Sequence, residues 1–168
     1  MYFSKLNLSS LFRKTKKVLV SKTLQRQAYD KARSNIGLRE KKGKAQHEAK
    51  ILRFFKDVGH SWVKDDETAW CAAFAGAMLE SVGLESTRKL DARSYLKWGQ
   101  EVQKQDAKEG DIVVFWRGTP NGWQGHVAFF VRWTESGDIV CLGGNQSDQV
   151  SEQVYSKERL LGFRRAAE

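Results

Sequence analysis

DDETAWCAAFAGAML, Asp65 to Leu79, sets an acid-rich entry against a run of small and apolar residues, with Cys71 at the junction. The run predicts a helix continuing to about Val82 and stopping at Gly83, its alanines implying close packing on all sides. Asp66 or Thr68 is the expected N-cap, and Glu67 suits the positive end of the helix. With Thr68 as the cap, Cys71 occupies the third helical position. A thiol attacks only as thiolate, and its ordinary pKa of about 8.5 leaves little of that form at neutral pH. The unpaired N–H groups and dipole of a helix N-terminus favour the anion. A cysteine among alanines is by itself more often a small core residue, so the nucleophile reading needs a base.

From Gly110 the hydrophobic period changes from helical to two. Strands are expected over Asp111–Trp116, His126–Trp133 and Ile139–Gly144, with a further short strand at LLGFRR. A glycine-rich loop, RGTPNGWQG, precedes His126, and the tight turn TESGD follows Trp133. His126 opens its strand and shares a face with Ala128 and Phe130. The hairpin at TESGD returns the chain so that LGGNQSD ends near His126. A catalytic imidazole needs a partner on its second nitrogen, and Asn145, Gln146 and Asp148 are candidates, with Asn145 first. Cys71 and His126 therefore read as nucleophile and base. Cys141 is assigned to strand packing, and a Cys71–Cys141 bridge would abolish the nucleophile. His47 and His60 lie in charged or polar surroundings and read as surface residues. Trp70, Trp116 and Trp123 are candidates to line a substrate groove, or equally to anchor core and loops.

The first part of the chain is helical in pattern, with helices expected at 23–36, 45–58 and 91–99. Helices followed by antiparallel strands make an α+β layout, and 168 residues fit one domain. Charge is unevenly placed. Residues 1–60 hold 16 Lys and Arg against 4 Asp and Glu, a balance of +12, and residues 61–168 hold 13 against 16, a balance of −3. Residues 1–22 form a basic arm, disordered or weakly amphipathic, and residues 23–168 the domain. Such an arm is expected to meet an anionic wall or membrane surface. Two isolated cysteines and three scattered histidines lack paired metal-ligand spacing, so no metal or cofactor is expected. No phosphate-cradling glycine loop or nucleic-acid-binding motif is evident. The longest apolar run near the start, Val18 to Val20, is far short of a signal-peptide core. The expectation is a protein made in the cytoplasm, for which work in the periplasm or elsewhere outside would need release or delivery by another factor.

The ordered blocks WCAAF, GHVAFF and GGNQSD resemble the CHAP-like, NlpC-type family of bacterial and phage cell-wall peptidases within the papain-like group. The resemblance spans about Ala28 to Arg165. It implies a papain-like fold, with N-terminal helices packed on a small antiparallel sheet and the cysteine at a helix N-terminus. It also implies a cysteine peptidoglycan hydrolase of amidase or endopeptidase type, endolysin-like, with Cys71 as nucleophile, His126 as base and Asn145 as third residue. The sequence departs from the family where many members carry a glutamate two residues before the asparagine: here stands Gly143. The alternative from another class is a non-catalytic wall- or polyanion-binding protein, such as a phage structural component, that retains the fold.

Overall fold

Helical and strand periods separate along the chain, and so do the elements they form. The computed structural model describes residues 22–41 and 47–167. The basic arm lies outside the described residues apart from Lys22, which pairs with Asp30 at 2.5 Å. Thr23 caps the first helix, α1 (Leu24–Arg33), by accepting from the Arg26 N–H, and Gly37 turns the chain out at φ +92°. Helix α2 (Ala49–Asp57) is shorter than the 45–58 expectation, part of which falls outside the described residues. It buries Ile51, Phe54 and Phe55.

Helix α3 (Cys71–Glu80) is buried at every position but its last, as its alanine content predicts. Its entry differs from expectation. Trp70 is the N-cap, Cys71 the first helical residue, and no side chain caps the helix. Thr68 is turned away, its N–H and hydroxyl donating to Asp65. Asp66 is fully buried, and its carboxylate accepts from the N–H groups of Lys41 and Glu48 and from the His47 ring. A buried carboxylate is tolerated only when its lone pairs are met. Here the acid ties the start of α2 to the approach to Cys71. His47 is thus not a free surface residue. No helix among the described residues is long and apolar enough to cross a membrane.

A 3-10 turn over Ala92–Lys97 leads to six antiparallel strands: β1 (Gln100–Val102), β2 (Ile112–Trp116), β3 (Gly125–Trp133), β4 (Ile139–Gly143), β5 (Ser151–Tyr155) and β6 (Leu160–Arg165). Their order in the sheet is β1-β6-β2-β3-β4-β5. The expected central hairpins are present, with Phe115 opposite His126 and Phe130 opposite Cys141. The short β1 and the half-exposed β5 have no apolar run to announce them. One face of the sheet packs Ile112, Val114, Val127, Phe129 and Leu142 against the helices. The other gathers Val113, Phe115, Ala128, Phe130, Cys141 and Phe163 into a second cluster. Each such large side chain contributes about 1.5–3 kcal/mol on full burial, and together they hold the start of β3 against the start of α3.

Candidate active site

Cys71 lies where the uncapped start of α3 meets β3. The residue is 5% exposed. Backbone N–H groups of Val127, Ala72 and Cys71 itself act on the sulfur in the sense that stabilises thiolate, as does the Arg117 charge. Burial outweighs all of them, and the thiol pKa is raised, not lowered. The helix-start N–H groups favour the anion in the expected sense, but removing a thiolate from water costs more than one helix end returns. Both cysteines are buried free thiols, so there is no Cys71–Cys141 bridge.

His126 is fully buried. Its Nε2 lies 3.0 Å from Gln146 Oε1. The Gln146 amide nitrogen donates to the carbonyl oxygens of Ser151 and Cys141, so its oxygen must be the atom that faces the ring. That fixes the tautomer: Nε2 carries the proton and donates, and Nδ1 holds the lone pair. The Cys141 S–H donates to the same Gln146 oxygen at 3.4 Å. Burial, then the charge of Arg117, depress the His126 pKa to about 3, with Gln146 opposing. The resting pair is therefore a neutral thiol and a neutral imidazole.

The third residue differs from expectation. Asn145 has φ +56°, and Ser147 and Asp148 are left-handed as well, at +55° and +60°. This coiled turn sends residue 146, not 145, back under the imidazole; Asn and Asp tolerate such backbone better than most residues. The turn is pinned from outside, where Glu40 N–H donates to Asp148 O and Val150 N–H to Leu38 O. Gly143 makes the arrangement possible, because a Cβ there would lie 2.9 Å from Gln146 Oε1 and 3.0 Å from the Ala128 Cβ. Residue 143 has no side chain, and the Gln146 amide fills the space. Gly144 meets a different neighbour: a Cβ would come within 2.7 Å of Trp70 and Phe74.

These contacts predict that Gln146→Ala reduces turnover about 10- to 100-fold, the scale of a lost orienting hydrogen bond, while Asn145→Ala stays within about threefold of wild type. Gly143→Ala is expected to act like a mild Gln146 lesion by pushing the amide off the ring. Steady-state kinetics of the three variants check this. A larger loss for Asn145→Ala than for Gln146→Ala would return the orienting role to Asn145.

Two residues absent from the sequence reading complete the site. Tyr155 stacks on His126 with ring centroids 5.0 Å apart and planes 9° apart. Arg117, at the end of β2, places its guanidinium 3.3 Å from His126 Nδ1 and hydrogen-bonds the Tyr155 hydroxyl. Tyr155 was hidden because β5 alternates weakly, and Arg117 because an arginine beside a glycine-rich loop looks like ordinary surface.

The tryptophans divide. Trp70 is fully buried, stacked on Phe54 and bonded to Glu40, and lines no open groove. Trp116 is anchored by the Glu158 carbonyl with Arg159 over its ring. Trp123 is 81% exposed on the loop before β3 and is the one of the three free to meet a ligand. That loop is held from behind by Arg93, which donates to the carbonyl oxygens of Thr119, Pro120 and Gln124. His60 accepts from Trp62 and faces the Arg88 carbonyl, away from the site. Among the described residues no group of three or more His, Cys, Asp or Glu could hold a metal ion.

Residues 63–145, just under half of the chain, match the family model of the CHAP domain, and this span contains Cys71 and His126. No curated protein matches the sequence. Among solved structures, an NLP/P60-family protein similar to a lipoprotein, from Staphylococcus aureus, aligns at 15% identity with a TM-score of 0.55, covering 89% of this chain and 43% of its own. The chain thus spans less than half the length of that relative. The P60 domain of an antigen from M. avium subspecies paratuberculosis aligns at 13% identity and a TM-score of 0.52, covering 85% of this chain and 93% of its own. At these identities the likeness is one of fold.

Proposed function

We propose, from the match of residues 63–145 to the CHAP domain and the likeness of fold to NLP/P60 structures, that the chain is a cysteine peptidoglycan hydrolase, an amidase or endopeptidase cutting an amide bond of the wall stem peptide. The observation that supports the proposal is the packing of the helix that starts at Cys71 against β3, the strand that bears His126. The thiol sits at a bare helix start where the backbone N–H of Val127, next in the chain to His126, acts on the sulfur, and the Nε2 of His126 is committed to Gln146.

With Nε2 committed, Nδ1 is the nitrogen left to exchange a proton with the thiol. It takes the Cys71 proton as sulfur attacks the amide carbonyl, and the C–S bond forms. Helix-start N–H groups offer donors for the oxyanion. The imidazolium then protonates the departing amine, the C–N bond breaks, and a thioester remains. Water, deprotonated by Nδ1, attacks the thioester; the acid leaves, and the proton returns to sulfur. Nucleophile, base and oxyanion donors all come from the chain, so the reaction draws on no cofactor.

Mass spectrometry of muropeptides released from purified sacculi tests the proposal and identifies the bond. Release that stops on alkylation mapped to Cys71 supports it; release that survives complete alkylation overturns it. Binding to sacculi without any release would favour a non-catalytic wall-binding protein. The basic arm is proposed to add electrostatic attraction to anionic wall or membrane. Removing residues 1–22 is expected to leave turnover of soluble muropeptides unchanged and to weaken sacculus pull-down at low salt. The difference should close above about 0.5 M salt as screening shortens the Debye length. Equal pull-down at every ionic strength would deny the arm that role.

A further inference from the structure

Arg117 stands at the nitrogen that the proposed chemistry needs. Its guanidinium is 3.3 Å from His126 Nδ1, and no hydrogen bond joins His126 to Cys71 among the described residues. The other polar partner of the guanidinium is the Tyr155 hydroxyl, so both are neutral groups. Among the described residues no carboxylate lies in ion-pair range of Arg117, whereas Arg26, Arg88 and Arg165 each hold one. A half-buried cation with five N–H donors and only neutral partners is matched to an anion it has yet to meet.

The backbone around Arg117 is fixed. Its N–H donates to the Gln124 carbonyl, and Arg93 clamps the carbonyls of the same loop. Movement at this position is therefore a swing of the side chain, not of the loop. In place, the guanidinium covers Nδ1 and opposes imidazolium, and its charge follows burial as the second cause of the weak basicity of His126. A carboxylate would form two parallel, charge-assisted bonds with it, stronger than a single contact to a ring nitrogen. Such an anion would draw the cation off Nδ1 and neutralise it as the imidazolium forms.

We propose that Arg117 is the receptor for a substrate carboxylate beside the scissile amide, so that the site favours stem peptides carrying a free acid there over those carrying the carboxamide. This rests on the hydrolase reading and names the substrate feature it selects. The residue acts on specificity by touching substrate and on the base by leaving it.

The experiment uses two soluble stem peptides, identical but for carboxylate or carboxamide on the residue flanking the bond identified by muropeptide analysis. The full chain is expected to cleave the acid at least about tenfold faster in kcat/KM, with kcat contributing, because the anion frees the base as well as binding. Arg117→Gln is expected to bring the acid-to-amide ratio near one, and Arg117→Lys to retain part of it. The wild-type ratio stands as a measurement even if a variant misfolds. Cleavage of both peptides at equal rates overturns the carboxylate receptor and leaves the hydrolase standing. Cleavage of neither peptide, nor of sacculi, overturns the hydrolase and the receptor with it.

Discussion

Cys71→Ser is expected to keep the fold and to lower peptidoglycan hydrolysis by roughly a thousandfold or more. The two side chains are nearly isosteric, and the backbone N–H groups around the sulfur can serve an oxygen as well. The chemistry does not transfer. The site is buried enough to raise even a thiol, and its imidazole is held to a weak basicity. A serine hydroxyl, whose pKa starts far above that of a thiol, has no group here able to take its proton. Cys141→Ser is the matched control. A hydroxyl retains the bond to Gln146 Oε1, so activity should stay within about threefold of wild type. Circular dichroism and muropeptide release on both variants decide the matter; equal losses would remove Cys71 from the nucleophile role.

His126→Ala is expected to cost roughly 100- to 10,000-fold in turnover, the range of a lost general base. It also costs stability. The substitution empties the space stacked on Tyr155 and leaves Gln146 Oε1 without the ring N–H. A deficit of about 2–4 kcal/mol follows from the cavity and the unmet acceptor. The kinetic loss should nevertheless appear at temperatures well below the melting transition, where the variant is fully folded. An unchanged rate there would assign the proton transfer to another group.

The parts of this molecule with strong periodicity were legible from the residues alone. The alanine-rich run gave α3 and the alternation in GHVAFF gave β3, with Cys71 and His126 at their starts. What escaped depended on backbone conformation or on neighbours distant in sequence. Asn145 and Gln146 are adjacent and chemically alike, and only the left-handed turn decides which of them reaches the imidazole. The role of Gly143 cannot be read until Gln146 is seen above it. Trp70 read equally as groove or core, and Phe54 of another helix settles it as core. The net balance at Cys71 could not be read from the helix end alone, because burial, set by the whole fold, outweighs it.

The sealed position of His126 has a consequence for where the protein survives. Its ordinary pKa of about 6.5 in the unfolded chain falls to about 3 in the folded one, mainly through burial. Between those values the unfolded chain holds a proton there that the native state refuses. The stability tied to this group is whole above about pH 6.5 and is lost as pH falls toward 3, at up to about 1.4 kcal/mol per pH unit. Acid thus loosens the chain through its own buried ring. Urea melts from pH 7 down to pH 4 should show a steep loss in the wild type and a shallower one in His126→Gln, which has no proton to take up. Parallel slopes would place the acid lability elsewhere. A compartment that acidifies would lower the stability of this protein without any inhibitor.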